Sequence, residues 1–164
     1  MYIWGEASER RMGKVSEYLV DAAYEVIGVS DVDLTIPWMG GWREDYEQNE
    51  IFLNKNSKAD GYKKKSYHQS GNALDIIPYI NGKGTYTDHG SSIYIASMML
   101  TVFDYNKLLG EIPADLFLHW GGFWGAKDLN GDGILNALDD KIGWDIAHFE
   151  IRNHPQKRVL TLIT

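Results

Sequence analysis

The sequence contains no cysteine among its 164 residues. Disulfide bridges are therefore excluded, and so are zinc sites that depend on thiolate ligands. Any zinc ion would have to be held by histidine, aspartate or glutamate side chains. The chain is long enough to bury a core, and its content of 44% hydrophobic and 13% aromatic residues is typical of a globular protein.

Long hydrophobic runs are absent as well. The longest apolar cluster, residues 93–103, is interrupted by Ser97 and Thr101 and is too short to cross a bilayer. The N-terminal residues lack the apolar segment of a secretory signal peptide. We therefore expect a protein that is made in the cytoplasm without a signal peptide, does not insert into the membrane, and needs another route for any work outside.

Positive charge is scarce, because 16 Lys and Arg residues stand against 23 Asp and Glu residues and give a net charge of -7. Nucleic-acid binding requires a basic surface, so we expect no nucleic-acid partner. One dense basic run, Lys63 to Lys65, is interpreted as a solvated loop. The alternative is local attraction of an anionic substrate, because the run immediately precedes Ser66.

The periodicity of apolar residues predicts mixed secondary structure. Helical spacing occurs over residues 12–27, 43–53 and, most clearly, 91–109. Strands are expected at 33–38, 73–80, 116–120, 147–152 and 158–163. Helices mixed with short, separated strands favour the α+β class, with a small and mainly antiparallel sheet flanked by helices. Without repeats or linker-like segments, residues 1–164 are expected to form a single domain that carries an inserted loop at 128–139.

A histidine and an aspartate in the segment SYHQSGNALD form the first candidate metal pair, His68 and Asp75. Asp75 interrupts an otherwise apolar run, and a buried carboxylate costs several kcal/mol unless a metal or hydrogen bonds compensate. The alternative is an aspartate at a strand edge that faces water, with His68 on the surface.

The segment WDIAHFE supplies a third candidate ligand, His148. Three protein ligands with an open position for water are what a catalytic zinc site requires. Zinc lowers the pKa of such a water and polarises a carbonyl group, and a nearby carboxylate must then move the proton. Asp145 is the candidate for this role, and Glu150 is either its alternative or a hydrogen-bonding support for a ligand.

Three motifs follow one another along the chain: S-x-H-x-x-G-x-A-x-D at 66–75, W-G-G-x-W at 120–124, and D-x-x-H-F-E at 145–150. Together they resemble the phage and bacterial peptidoglycan peptidases related to zinc D-alanyl-D-alanine carboxypeptidases, in particular the L-alanyl-D-glutamate endopeptidases used as endolysins. The segments 42–48 and 75–82 extend the resemblance through most of the chain. It implies a fold like that of hedgehog proteins and D-Ala-D-Ala peptidases.

The resemblance also implies roles for individual residues. His68, Asp75 and His148 would be the zinc ligands, and Asp145 the general base and acid. Arg43 would hold a substrate carbonyl or carboxylate and stabilise the oxyanion, which suits a fixed guanidinium. The implied protein is a monomer that cleaves the L-alanyl-D-glutamate bond of the peptidoglycan stem peptide in the periplasm, after release, during host lysis.

Two other functions remain compatible with the sequence. One is a D-alanyl-D-alanine carboxypeptidase or dipeptidase, which would share the metal site. The other is a non-catalytic, metal-containing binding module of the same fold. The presence of all four polar residues of the proposed centre argues against the second alternative.

The loop that separates the last two motifs has the spacing of an EF-hand-like calcium site. Oxygen ligands fall at positions one, three, five, seven, nine and twelve, namely Asp128, Asn130, Asp132, the backbone carbonyl of Ile134, Asn136 and Asp139. Gly133 occupies position six, where the loop turns sharply. The alternative is an Asx-rich turn held by its own hydrogen bonds. Because the loop ends shortly before Asp145, we expect calcium to regulate or stabilise the zinc site.

Overall fold

The computed structural model describes residues 1–135, 138 and 140–156, together with the backbone of 161–162. Within these residues the helices are α1 (Glu6–Met12), α2 (Glu17–Val29), α3 (Asp45–Leu53) and α4 (His89–Leu108). The strands are β1 (Leu34–Thr35), β2 (Ala73–Asp75), β3 (Ile77–Ile80), β4 (Lys83–Gly84), β5 (Phe117–Trp120), β6 (Ile134–Leu135), β7 (His148–Arg152) and β8 (Thr161–Leu162). No helix in the described part of the chain has both the length and the apolar character needed to cross a membrane.

The strands form small sheets, as expected for an α+β protein. β7 lies between β2 and β5 in an antiparallel sheet, and β3 lies between β1 and β4 in a second antiparallel sheet. β6 and β8 pair in parallel. The predicted α+β class is therefore confirmed. The strand predicted over 73–80 is divided at Ile76, so that β2 and β3 belong to different sheets.

The register of β2 and β7 determines which side chains of the two metal motifs meet. Asp75 lies directly opposite His148, and Ala73 lies opposite Glu150. Residues that face each other across antiparallel strands have neighbouring side chains on the same side of the sheet. The two motifs, 73 positions apart in sequence, are thereby brought into contact.

The core lies between the two longer helices and the β2–β7–β5 sheet. α2 packs against α4, and α4 packs against β5. Fully buried side chains from these elements include Leu19, Ile27, Leu74, Ile95, Met99, Phe103, Leu118, Trp120 and Phe149. Each large apolar side chain buried in this way contributes roughly 1.5–3 kcal/mol. The core thus supports the central sheet, whose strands β2 and β7 carry Asp75 and His148.

The N-terminal region differs from the prediction of one helix over 12–27. α1 ends at Met12, and α2 begins only after Ser16. The C-terminal end of α1 contacts the segment 38–42, because the carbonyl of Arg11 accepts a hydrogen bond from the backbone N–H of Trp42 at 3.3 Å. A Cβ atom on Gly41 would lie 1.9 Å from that carbonyl oxygen. The close approach of α1 to the 38–42 segment therefore requires glycine at this position.

Candidate active site

His68 is positioned by a short 3-10 turn, Tyr67–Ser70, with a capping box at its start. The Ser66 hydroxyl accepts a hydrogen bond from the His68 backbone N–H at 3.3 Å, and the Gln69 side chain accepts one from the Ser66 N–H at 2.9 Å. Gly71, at φ 74°, ends the turn in the left-handed region that favours glycine. The sequence S-Y-H-Q-S-G thus fixes the backbone of a fully buried histidine.

Three side-chain atoms from separate elements converge where β2 ends and β7 begins. His148 Nδ1 lies 2.9 Å from Asp75 Oδ1 and 3.1 Å from His68 Nε2. His68 Nε2 lies 3.3 Å from Asp75 Oδ1. These three residues can hold a metal ion, and they are the group of this kind found among the described residues.

The dimensions of this triangle fit a tetrahedral ion such as zinc. With bonds of about 2.0 Å and tetrahedral angles, ligand atoms stand roughly 3.3 Å apart. The observed edges of 2.9, 3.1 and 3.3 Å are close to that spacing. The three residues would hold such an ion and would leave one coordination position for water or substrate.

The second polar atom of each candidate ligand is held by a partner. His68 Nδ1 lies 2.7 Å from the Gly41 carbonyl, and His148 Nε2 lies 3.1 Å from Glu150 Oε2. Because these partners only accept hydrogen bonds, the imidazole protons belong on the outer nitrogens. The inner nitrogens then present lone pairs to one another and to Asp75 Oδ1. Such a cluster requires a cation, either a metal ion or an added proton.

The pKa shifts of the three candidate ligands also indicate that this cluster favours a bound cation. Burial acts to lower the pKa of His148, but hydrogen bonds to Asp75 and Glu150 raise it to about 9. Burial also lowers the pKa of His68, which keeps this ring neutral. Burial alone would raise the pKa of Asp75, yet His68, His148 and Arg43 hold it well below its ordinary value. Two neutral imidazoles and one carboxylate are the forms that bind a metal, so a metal ion would have to displace the proton on His148.

Arg43 orients Asp75 from the side opposite the imidazoles. Its Nη2 donates to Asp75 Oδ2 at 2.8 Å, its Nη1 donates to Gln48 Oε1 at 3.1 Å, and its Nε donates to the Met39 carbonyl. The side chain is only 10% exposed. Three of its five N–H groups are therefore engaged within the protein, which gives Arg43 a positioning role that the sequence did not predict. The predicted contact with substrate would have to use the remaining two.

Asp145 lies beside the triad on a turn that several contacts hold. Its carbonyl accepts from the His148 N–H at 3.2 Å, the Trp120 indole donates to the Ile146 carbonyl at 2.9 Å, and a Cβ on Gly121 would lie 2.3 Å from the Asp145 carbonyl oxygen. The W-G-G motif therefore supports the backbone of this turn. Burial and then the charge of Asp75 raise the pKa of Asp145 to about 6. A carboxyl group with that pKa can take up and release a proton near neutral pH.

Comparison with known proteins agrees with this site. Residues 1–151 match the family model described as phage L-alanyl-D-glutamate peptidase. The chain belongs to this family. Its structure is similar to the crystal structure of the Serratia marcescens L-Ala D-Glu endopeptidase ChiX, with a TM-score of 0.60 and 20% identity over 92% of this chain and 90% of that chain. No curated protein sequence matches.

These comparisons confirm two predictions made from the sequence. Membership of the phage L-alanyl-D-glutamate peptidase family confirms the predicted class of enzyme, a peptidase that degrades peptidoglycan. The similarity to ChiX confirms the predicted fold. At 20% identity, it is evidence about the fold and not about the reaction. The residue-by-residue roles within the site remain predictions that rest on the geometry above.

The structure describes part of the predicted calcium loop at 128–139. Asp128 accepts from the N–H groups of Gly131 and Gly133 at 2.6 and 2.9 Å, and Asp132 accepts from the N–H of Ile134 at 2.8 Å. Gly133 has φ +79°, as expected for the sharp turn at position six. These bonds are compatible with both the calcium loop and the Asx-rich turn. Two of the predicted ligands, Asn136 and Asp139, lie outside the described residues.

The sequence analysis did not predict the role of residues 39–41, which orient several side chains of the site. Successive carbonyls of Met39, Gly40 and Gly41 accept hydrogen bonds from the Arg43 side chain, the Asp75 backbone and the His68 ring. The paired glycines were the available signal, because a Cβ on Gly40 would meet the Pro37 ring at 2.7 Å. Two further missed residues are Gln48, which is fully buried, and Tyr86, whose pKa is raised by burial and then by the charge of Asp75.

Proposed function

We propose that this chain is a zinc-dependent endopeptidase that hydrolyses the L-alanyl-D-glutamate bond of the peptidoglycan stem peptide. The observation that carries the proposal is the triangle of His68 Nε2, Asp75 Oδ1 and His148 Nδ1, whose outer atoms all have partners. Nitrogen and oxygen ligands at this spacing suit zinc, and three protein ligands leave a position open for chemistry. Family membership supports the choice of bond.

The protein residues divide the work in this proposal. His68, Asp75 and His148 would hold the zinc ion, which supplies a Lewis acid that acidifies a water molecule and polarises the scissile carbonyl. Arg43 binds Asp75 Oδ2 and so keeps Oδ1 directed towards the two imidazoles, where it would hold the ion. Glu150 does the same for His148 by accepting from Nε2.

Asp145 moves the proton. As a carboxylate it accepts a proton from the attacking water, and as a carboxylic acid it donates that proton to the nitrogen of the leaving D-glutamate as the C–N bond breaks. Its raised pKa, about 6, supports both halves of this cycle near neutral pH. The proposal assigns no catalytic role to Ser66, because its hydroxyl is engaged with the His68 backbone.

We also propose that the protein works as a monomer in the periplasm after release from the cytoplasm. The three candidate ligands, Arg43 and Asp145 all come from one chain, so the site is complete without a second copy. The substrate partner is the peptide stem of the wall.

Digestion of purified sacculi by the zinc-loaded protein tests the proposed bond specificity. Mass spectrometry of the products should detect new peptides that begin with D-glutamate, and His148→Ala should abolish their release. His89→Ala is the matched control, since His89 is an exposed residue at the start of α4. Release of D-alanine without new D-glutamate termini would instead identify a D-alanyl-D-alanine carboxypeptidase. Binding to sacculi without hydrolysis would identify the non-catalytic module.

We further propose that the loop at 128–139 binds calcium and thereby orders the segment that carries Asp145 and His148. The loop is closed at its base by a bridge in which the backbones of Lys127 and Lys141 exchange hydrogen bonds of 2.8 and 3.0 Å. The chain then runs directly into the Asp145 turn, where the Gly143 N–H donates to the Gly122 carbonyl at 2.7 Å. Ordering of the loop by calcium would therefore also position Asp145, which lies only four residues after Lys141.

A further inference from the structure

A cleft outside the metal centre lies between α1 and the loop that leads into α3. Its volume is about 600 Å³, within the range of sites that bind small molecules. Cationic, anionic and aromatic side chains share its lining, which includes Arg10, Lys14, Trp38, Trp42, Glu44 and Glu47. The activity proposed above gives this cleft no role.

An exposed tryptophan is the most unusual feature of the cleft. Trp38 is 73% exposed, although exposure of so large an apolar surface to water is unfavourable. It lies in a turn in which the Gly40 N–H donates to the Pro37 carbonyl at 2.8 Å, and Met39 has φ 60°. A non-glycine residue in this left-handed region costs of order 1 kcal/mol, and such strain is found where a residue is held for function. This turn places Trp38 in the lining of the cleft.

The cleft and the metal centre share a wall. Met39 and Gly41 line the cleft, while their carbonyls accept hydrogen bonds from the Arg43 side chain and from His68 Nδ1. A ligand in the cleft is therefore separated from a candidate metal ligand by the thickness of one backbone segment. The cleft and the metal centre are therefore neighbours on the two sides of this segment, to which His68 presents Nδ1 while it presents Nε2 to the metal centre.

We propose that this cleft binds the N-acetylated amino sugar from which the stem peptide extends. The proposal rests on the proposed function, because the L-alanine of the scissile bond is the residue attached to the lactyl group of that sugar. One extended residue spans at most about 3.5 Å. A sugar separated from the cleaved bond by one alanine and a lactyl group must therefore lie close to the metal centre.

The lining suits a sugar better than it suits a simple anion. A pyranose ring presents C–H groups on one face, which pack on an indole, and its hydroxyl and acetamide groups both donate and accept hydrogen bonds. Arg10 and Lys14 can donate, and Glu44 and Glu47 can accept. A small anion would be repelled by the two glutamates, whereas the amide-linked sugar carries no charge. Lys14 also lies 3.7 Å from the centre of the Trp42 ring, which fixes one side of the cleft.

Two substrates with the same peptide distinguish a sugar site from a general role in catalysis. One is the free stem peptide beginning with L-alanine, and the other is the same stem attached to its unreduced disaccharide, in which the stem-bearing sugar keeps its pyranose ring. With the zinc-loaded protein, we expect kcat/KM to be about tenfold higher for the glycosylated substrate, which corresponds to about 1.4 kcal/mol for one stacked aromatic residue. Trp38→Ala should remove this preference and leave kcat/KM for the free peptide within about twofold of the wild-type value.

Matched variants and a binding measurement complete the test. Tyr105→Ala, which removes an exposed aromatic side chain from α4, should change neither value. Equal values for both substrates in the wild type, or an equal loss on both in Trp38→Ala, would overturn the sugar site. Failure of the wild type to cleave either substrate would instead overturn the proposed peptidase. In that case, NMR titration of the tryptophan indole signals with the unreduced disaccharide, its lactyl carboxyl capped as an amide, still decides the sugar site, because saturable shifts that are lost in Trp38→Ala support it and absence of shifts overturns it.

Discussion

Arg43 donates from Nη2 to Asp75 Oδ2 at 2.8 Å, and this contact directs Oδ1 towards His68 and His148. Arg43 is itself fixed by Gln48 and by the Met39 carbonyl. The carboxylate is thus held in one orientation, which reduces the conformational entropy that a metal ion would have to overcome on binding. Arginine suits this task because its planar guanidinium can bind several fixed acceptors at once.

Replacement of Arg43 by lysine should weaken zinc binding. An ammonium group preserves the charge but cannot contact Asp75, Gln48 and Met39 together, and loss of such supporting contacts typically costs 10–100-fold in metal affinity. The dissociation constant can be measured by competition with a chromophoric chelator. Lys83→Ala on β4, where the side chain is exposed, should bind zinc as the wild type does. An unchanged affinity in Arg43→Lys would contradict the positioning role.

The contact between Asp75 and His148 was predictable from the sequence only in part. The motifs predicted both residues as candidate metal ligands, because an aspartate in an apolar strand and a histidine after an acidic residue suggest a metal site. The strand pattern also predicted β2 and β7. What the sequence could not provide was the register that pairs Asp75 with His148, because register depends on tertiary packing of the whole sheet.

The roles of residues 39–41 were less accessible to prediction. Their contributions are made by backbone carbonyls, and a carbonyl is present at every position in a sequence. The helix boundary at Met12 was missed for a related reason. The apolar spacing predicts one helix over 12–27, but α1 ends at Met12 and the Arg11 carbonyl accepts a hydrogen bond from the Trp42 N–H.

Gly121 should not tolerate a larger residue. In Gly121→Ala the new Cβ would lie 2.3 Å from the Asp145 carbonyl oxygen, so the turn that carries Asp145 would have to shift. We expect kcat to fall at least tenfold, because a displacement of about 1 Å in a catalytic group can cost 100-fold. The melting temperature should also fall. Gly28→Ala is the control, since it lies in α2 with no atom near the new Cβ and should stabilise the helix by about 0.5–1 kcal/mol. Wild-type activity in Gly121→Ala would contradict this account of the W-G-G motif.

The acid side of the pH–activity profile should report Asp145. The base is active as a carboxylate, so activity is lost as the pH falls through its pKa. Burial and Asp75 raise that pKa to about 6 in the metal-free site, compared with the range near 4 of an exposed aspartate, so the loss of activity in the zinc-loaded enzyme should occur below pH 6. A bound zinc ion would move the transition downward, because positive charge favours the carboxylate. Titration of the metal-free protein by ¹³C NMR measures the raised pKa directly.

Removal of the Asp145 carboxylate separates its catalytic role from structural effects. Asp145→Asn should reduce kcat by about 10²–10⁴-fold while zinc content and melting temperature stay close to the wild-type values. Asp115→Asn, an exposed change in a loop, should have no effect. Retention of activity and of its acid-side transition in Asp145→Asn would assign the proton transfer to another group, and Glu150 would be the first to test.

The dependence of activity on calcium should distinguish the role of the loop from that of the metal centre. A calcium-selective chelator should lower activity on sacculi while the protein retains its zinc, because the loop would no longer order the chain between Lys141 and Asp145. Asp132→Ala removes the predicted ligand at position five together with its hydrogen bond to the Ile134 N–H. We expect this variant to lose calcium binding by isothermal titration calorimetry and to show activity that no longer depends on calcium.

Leu129→Ala, which changes an exposed apolar side chain within the loop but removes no predicted ligand, should respond to calcium as the wild type does. Calcium binding without any change in activity would limit the loop to a stabilising role, and absence of binding in the wild type would leave the Asx-rich turn as its structure.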